Sequence, residues 1–129
     1  MSNEEYVNLE SVPGVFAICR LPSGSEVPAW ATTGKVNSIT RTPEELSIVC
    51  EEHLVPDGVL AERDYRGFRI SGTLDFSLVG ILSPILVALH VAEVSVFVFS
   101  TYDTDYLMVR DTDRERTLAA LDTSGFTVN

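Results

Sequence analysis

Basic residues are scarce in this chain of 129 residues: 9 Lys and Arg stand against 19 Asp and Glu, which gives a formal net charge of −10 at pH 7. Nucleic-acid binding needs a basic surface that displaces counterions, and docking on anionic lipid needs basic clusters. The sequence therefore predicts a protein that binds neither nucleic acid nor membranes. Its length suits one ordinary domain or two very small ones that share a core.

Cysteine and histidine are also few, with 2 of each. Cys19 and Cys50 both lie in apolar, strand-like runs, so we expect reduced thiols in the core rather than a disulfide framework. His53 and His90 are far apart and have no Cys or acid pattern around them, so we expect no metal and no cofactor. The sequence shows no acid–base or nucleophile pair, so it does not predict an enzyme.

Long apolar runs are missing as well, and a membrane span needs about 20 mostly apolar residues. The most apolar stretch, residues 78–99, is interrupted by Pro84, His90 and Glu93. The acidic N-terminus at residues 1–5 lacks the basic region and apolar core of a secretion signal. We therefore expect a cytoplasmic protein.

The N-terminal half contains strand-like sequence punctuated by Pro and Gly. Apolar runs predict strands at residues 15–21, 36–41 and 46–50, and the last two form a hairpin. At most one short helical turn, near Trp30, fits between the first two strands. Residues 53–66 contain Pro, Gly and three acids, so we interpret them as a connector between the two halves.

The C-terminal half has the pattern of a strand, a helix, two strands, a helix and a strand, which is a ferredoxin-like order. The first helix, predicted at residues 77–92, is apolar nearly all round, so we expect more than one side of it to be covered. Pro84 predicts a kink in it. Thr112 and Glu115 predict a capping box for the second helix, which ends near Gly125. The predicted strands are residues 67–71, 94–100, 106–110 and 126–128.

The most informative segment is residues 94–109, where a polar turn joins two apolar strands. A carboxylate beside buried strands is costly unless something pairs with it. The turn that holds Asp103 and Asp105 therefore either reverses the chain or binds a positively charged ligand group. These acids lack the Gly and the closing Glu of an EF-hand loop, so the sequence does not predict a calcium site.

Two blocks of the sequence resemble a known family. Residues 72–82 (GTLDFSLVGIL), followed by residues 94–109 with their Ser-Thr-Tyr-x-Thr-Asp core, resemble the ACT domains. Residues 38–48 resemble the hairpin of the other half in the branch that small bacterial tandem-ACT proteins share with the CASTOR arginine sensors of animal cells. The resemblance implies an α+β fold of two ferredoxin-like ACT units, with antiparallel sheets and helices packed on one face. The helix-poor unit would span residues 1–62, and the second unit residues 63–129.

The resemblance also implies a non-catalytic sensor or regulatory protein that holds a free amino acid at an interface between ACT units of a homodimer. A protein that responds to the occupied state would be a further partner. One side of the site would come from Ser95 and Val96 of one copy. The other side would come from a facing copy, with these residues: Leu74, Asp75, Phe76, Leu78, Thr101, Tyr102, Thr104 and Asp105.

The chemistry of these residues suits a free amino acid. The N-terminus of the first predicted helix favours a carboxylate, because its N–H groups are unpaired and its dipole end is positive. Asp105 and the oxygens of Thr101 and Thr104 can accept from an ammonium. As we align it, Leu78 stands where the animal arginine sensors carry an acid, so we expect an apolar or small amino acid rather than arginine. The alternative is a protein–protein interaction module with a vestigial pocket, which no amino acid would stabilise.

Overall fold

The computed structural model describes residues 8–71 and 80–129. Four of the predicted ligand-binding residues, Leu74, Asp75, Phe76 and Leu78, lie outside the described residues. The strands and helices are β1 (Asn8–Leu21), β2 (Ser38–Arg41), β3 (Leu46–Glu51), β4 (Ala61–Ile70), α1 (Leu82–Val91), β5 (Phe97–Ser100), β6 (Asp105–Arg110), α2 (Arg114–Thr123) and β7 (Thr127–Val128). Within the described ranges, no helix is long and apolar enough to span a membrane.

The chain divides into two compact units, which we call the larger and the smaller unit. The larger unit comprises residues 1–13 and 66–129, and the smaller unit comprises residues 14–65. Both β1 and β4 therefore contribute to each unit. This division differs from the two continuous ranges expected from the sequence, because the N-terminal residues group with the C-terminal half.

The larger unit has the predicted order of strand, helix, two strands, helix and strand from β4 to β7. Its strands lie side by side in the order β7, β1, β4, β6, β5. β7 pairs in parallel with Asn8 and Leu9 of β1, and the Ser71 amide after β4 donates to the Asn8 carbonyl at 2.8 Å. The start of β1 is thus inserted between β7 and β4, in a position for which the sequence predicted no strand.

The core of the larger unit lies between this sheet and the two helices. Phe68 and Ile70 of β4 are two positions apart in the strand, so both side chains point to one face of the sheet. Ile85 and Leu89 of α1 and Leu121 of α2 belong to the same buried cluster. Each side chain of this kind contributes about 1.5–3 kcal/mol when it is fully buried, so this contact holds the helices on the sheet.

Both helices begin differently from the predictions. α1 begins at Leu82, so Pro84 lies in the first turn, where its missing N–H has no helical acceptor. The predicted kink is therefore wrong. α2 follows Asp113 with no side-chain cap, so the capping box predicted from Thr112 is wrong too. Instead, the Thr117 hydroxyl donates to the Asp113 carbonyl at 2.8 Å.

The smaller unit is built from β2, β3 and β1, with β4 next to β1. β2 and β3 form the predicted antiparallel hairpin, and β3 pairs antiparallel with β1. β4 begins at Ala61, so the predicted connector is wrong over residues 61–66. The sequence did not predict this part of the strand, because the residues that alternate between exposed and half-buried positions are all polar. Glu62 and Asp64 are exposed, while Arg63 between them is half-buried. Residues 14–65 are all described, and their helical structure is limited to 3-10 turns at Ala29–Thr32 and Glu52–Leu54.

Both cysteines are free and buried in the smaller unit, which confirms the prediction. Cys50 pairs with Ala17, two residues before Cys19, so both thiols point to the same face. A hydrogen bond with Cys19, and burial, raise the pKa of the Cys50 thiol above its ordinary value. Cys50 therefore keeps its proton at neutral pH, as a structural core thiol does.

Candidate functional site

The candidate site is the turn between β5 and β6, at residues 101–104. Ser100 and Asp105 pair across the hairpin at its base. The Thr101 amide donates to the Thr104 carbonyl at 2.8 Å. The Thr101 hydroxyl donates to the same carbonyl at 3.2 Å and accepts from the Thr104 amide at 3.3 Å. The turn is therefore organised by its own hydroxyl and backbone groups, as hydroxyl-containing turns commonly are.

Thr104 ties this turn to the end of β4. Its side chain is buried, with 4% exposed, and its hydroxyl donates to the Ile70 carbonyl at 2.8 Å. Ile70 is the last residue of β4 and belongs to the core of the larger unit. Thr104 thus fixes the position of the turn relative to the sheet, and its proton is already used within the protein.

Asp105 has a fixed carboxylate without a cationic partner. The Ser100 hydroxyl donates to its Oδ1, and its side chain is half-buried. Among the described residues, no Lys, Arg or His forms an ion pair with it. Its neighbours in the turn are more accessible to solvent: Asp103 is exposed and Tyr102 is 80% exposed. A half-buried carboxylate that lacks a cation is suited to an ammonium group.

The structure does not bring Ser95 and Val96 to this turn. Both precede β5, which begins at Phe97 rather than at the predicted residue 94. Ser95 is exposed, and Val96 packs against the core of the larger unit. Five residue steps separate Val96 from Thr101, or roughly 16 Å of extended chain. Within one chain, the predicted site residues that the structure describes therefore form two separate groups, Ser95 with Val96 and the residues of the turn.

Sequence reasoning missed two groups beside the turn. One is Ser100, whose hydroxyl orients the Asp105 carboxylate. The other is Ser71, whose Oγ is buried and makes no hydrogen bond among the described residues. A single Ser at the end of a strand has no pattern that marks it, so only the fold reveals its position. The described residues also contain no group of three His, Cys, Asp or Glu side chains that could hold a metal.

A second surface of the larger unit is largely apolar, with Arg116 of α2 at its side. A groove of about 610 Å³ runs between α1 and α2, lined largely by small and apolar side chains that include Ala88, Ala92 and Ala120. Beside it, Val87 and Val91 of α1 are 58% and 76% exposed. α1 contains no Lys, Arg, Asp or Glu, and its only ionisable side chain is His90.

The chain is similar to known proteins over most of its length. A family model that describes an N-terminal domain matches residues 14–58. The crystal structure of an Agobacterium tumefaciens protein is 35% identical and has a TM-score of 0.90, over 95% of this chain and 92% of that chain. The ACT domain model matches residues 60–123. The chain belongs to the ACT-domain family.

More distant structures share the fold of this ACT-domain protein. A Vibrio cholerae protein of unknown function is 19% identical, with a TM-score of 0.77, over 94% of this chain and 91% of that chain. The regulatory subunit of Thermus thermophilus aspartate kinase is 10% identical, with a TM-score of 0.59, over 92% of this chain and 96% of that chain. No curated protein matches the sequence significantly. ACT domains are commonly regulatory units that bind amino acids and often dimerise.

Proposed function

We propose that this ACT-domain protein is a non-catalytic amino-acid sensor or regulatory protein whose ligand is held at an interface between ACT units of a homodimer. The observation that supports this proposal best is the state of the Asp105 carboxylate. It is half-buried, oriented by Ser100 and without an ion-pair partner among the described residues. Such a carboxylate is stabilised by an ammonium, and each charge-assisted hydrogen bond contributes about 1.5–3 kcal/mol. An α-ammonium is the group that every free amino acid supplies.

The separation of the predicted site residues supports a second copy in the site. Ser95 and Val96 lie at the opposite end of β5 from the turn, so they can face it only from another ACT unit. In our proposal, these two residues form one wall. Leu74, Asp75, Phe76 and Leu78, with the turn residues Thr101, Tyr102, Thr104 and Asp105, form the other wall in a facing copy.

The surface of α1 also supports a second copy of the chain as the partner. With a net charge of −10, two copies repel each other over most of their surfaces. The exposed face of α1 carries Val87 and Val91 but no acid, so a second copy can approach it with the least repulsion while it buries apolar area. We therefore propose that the homodimer uses this face.

The ligand that we propose is an apolar or small amino acid. Leu78 stands where the arginine sensors of the CASTOR branch carry an acid, and a leucine cannot neutralise a guanidinium. In this proposal, the chain is a small bacterial-type member of that branch, and it passes its occupied state to a regulated protein. Such coupling requires a ligand that prefers one arrangement of the units.

A thermal-shift screen of the common L-amino acids tests the proposal. An amino acid at a hundredfold excess over its dissociation constant stabilises the folded protein by about 2.7 kcal/mol, which raises Tm by several degrees. Asp105→Asn should lose most of this shift, because the amide keeps the shape but not the charge. Asp103→Asn, which changes an exposed acid of the same turn, is the matched control and should keep the full shift.

The second candidate function is an interaction module with a vestigial pocket, which the exposed apolar face of α1 favours. It predicts that no amino acid raises Tm, although the protein is folded by circular dichroism. If an amino acid does bind but Asp105→Asn keeps the full shift, the proposed role of Asp105 is wrong while the sensor function stands.

A further inference from the structure

The two thiols of the smaller unit form a buried pair. Cys19 of β1 and Cys50 of β3 are 1% and 0% exposed, and both belong to one core cluster. Cys50 lies opposite Ala17, two residues before Cys19, so the cysteines are diagonal neighbours on one face of the sheet. A hydrogen bond joins their side chains. Two soft sulfur atoms therefore meet in a dry core, and the proposed amino-acid site does not use them.

The register of the two strands is unfavourable for a disulfide between these thiols. Diagonal neighbours in an antiparallel sheet lie about 7–8 Å apart, whereas the Cα atoms of a relaxed disulfide lie about 4.4–6.8 Å apart. A direct S–S bond would therefore require the strands to move. A metal ion between the sulfurs lengthens the bridge, because two metal–sulfur bonds replace one S–S bond. The pair is thus better suited to a bridging ion than to a disulfide.

The number of ligands indicates which ion the pair can hold. Thiolates select soft metals such as Cu(I), zinc and the iron of iron–sulfur clusters. Zinc sites take three or four protein ligands, and iron–sulfur clusters take four. The part of the chain that the structure describes contains no group of three His, Cys, Asp or Glu side chains that could hold a metal. Cu(I), with its filled d shell, forms stable linear complexes with two thiolates, so two cysteines suffice for it.

Arg63 of β4 supplies a positive charge beside the pair. It is half-buried, donates to the Pro56 carbonyl at 3.3 Å and forms no ion pair with a described residue. The hydrogen bond with Cys50 lowers the pKa of the Cys19 thiol, burial opposes this, and the charge of Arg63 adds to it. The hydrogen bond and burial raise the pKa of Cys50, and the same charge opposes them. The guanidinium therefore acts on both sulfurs.

We propose that Cys19 and Cys50 form a two-coordinate Cu(I) site in which Arg63 is the counter-charge. A Cu(I) ion between two thiolates carries one net negative charge, which is costly to bury unless a positive group pairs with it. Each thiol that still holds its proton releases it when the ion binds, and the copper stays in the +1 state. The ion reaches the sulfurs through local opening of the fold. The proposal concerns the smaller unit and does not rest on the proposed amino-acid site.

Anaerobic titration of the reduced full-length chain with Cu(I), in competition with the chelator bicinchoninate, tests the proposal. The wild type should bind one Cu(I) per chain, with two sulfur ligands and no nitrogen ligand by X-ray absorption. Cys19→Ala and Cys50→Ala should each lose this binding, because only one thiolate remains. Arg63→Gln should keep both sulfur ligands but weaken binding by about tenfold, the lower end of the range for groups that support metal ligands. Lys35→Gln removes an exposed charge of the same unit and should leave the affinity unchanged.

Several outcomes of this titration would overturn the copper site. One is a wild type that binds no more Cu(I) than the Cys19→Ala Cys50→Ala double variant, with each protein folded by circular dichroism. Another is a spectrum with three or more ligands. Wild-type affinity in Arg63→Gln would exclude the guanidinium as the counter-charge.

Oxidation with diamide gives a second test that needs neither a metal nor a variant. Mass spectrometry after alkylation should still find two free thiols in the wild type, because the register separates the cysteines too far for a relaxed disulfide. An intramolecular disulfide in the folded chain would contradict the spacing on which the copper site rests.

Discussion

At the scale of single residues, Thr104 decides where the β5–β6 turn lies. Its buried hydroxyl donates to the Ile70 carbonyl at 2.8 Å, so Thr104→Val keeps the shape and removes the donor. The Ile70 carbonyl is then left without this partner, which costs about 1–3 kcal/mol of unfolding free energy. Thr104→Ser keeps the hydroxyl and should cost less. Urea unfolding followed by circular dichroism measures both variants.

Thr101 provides the control for that measurement. Its hydroxyl bonds within the same turn, but the residue is exposed, so water can replace the lost bond in Thr101→Val. We expect a loss well below that of Thr104→Val. Equal stability of Thr104→Val and Thr104→Ser would contradict the structural role of the hydroxyl.

The sequence predicted a turn between β5 and β6, and the structure has it, but the hydrogen bonds within it were not predicted. The pattern of acids and hydroxyls predicted ligand contacts at Thr101, Thr104 and Asp105. In the structure, both threonine hydroxyls donate within the protein, and the partner of Thr104 lies 34 positions away at Ile70. No local sequence pattern predicts a hydrogen bond between two residues so far apart in the chain. The Ser71 hydroxyl, which has no hydrogen-bond partner among the described residues, could not be foreseen either, since its burial depends on the assembled sheet.

At the scale of helices and strands, strands rich in apolar side chains were predicted well, whereas a strand of alternating polar side chains was not. β3 and β6 were placed within one residue of their observed bounds, because their apolar side chains run together. The first part of β4 was missed, since residues 61–66 alternate through long polar side chains. The insertion of the start of β1 beside β7 could not be foreseen either, because strand neighbours that are distant in sequence leave no local signal.

Gly67 is a tightly packed position of β4. A Cβ on this residue of β4 would lie 3.1 Å from the Met108 Sδ of β6 and 3.2 Å from the Val12 Cβ of β1. Gly67→Ala therefore overpacks this site, and we expect it to destabilise the fold by about 1–3 kcal/mol. The midpoint of urea unfolding should fall, while the slope stays unchanged.

Gly24 is the matched glycine for this experiment. A Cβ there would meet no atom within 4 Å, so Gly24→Ala should leave stability unchanged or raise it by up to about 1 kcal/mol, through the reduced freedom of the unfolded chain. If Gly67→Ala is as stable as Gly24→Ala, the strands tolerate a methyl group and the close packing does not constrain this position.

At the scale of the whole molecule, charge limits where two copies can meet. The net charge of −10 makes most encounters between copies repulsive at low salt, and screening weakens this repulsion as salt rises. The exposed face of α1 has apolar side chains and no acid. Dimerisation through that face should therefore tighten with ionic strength, whereas an interface held by surface ion pairs would loosen.

Val91→Asp tests the proposed dimer directly. Val91 is 76% exposed on α1, and a second copy packed there would have to bury the new carboxylate without a partner, which is costly. We expect wild type to sediment at twice the chain mass of 14.2 kDa and Val91→Asp to sediment as a monomer. Leu60→Asp changes another exposed apolar residue, 69% exposed, but in the smaller unit, so this control should remain dimeric.

Two outcomes would exclude this face of α1 as the interface. One is a wild-type chain that stays monomeric at roughly 100 times the lowest concentration that sedimentation detects. The other is a Val91→Asp variant that dimerises with unchanged affinity. The salt series then distinguishes the cause, because only an apolar contact between acidic copies strengthens as salt is added.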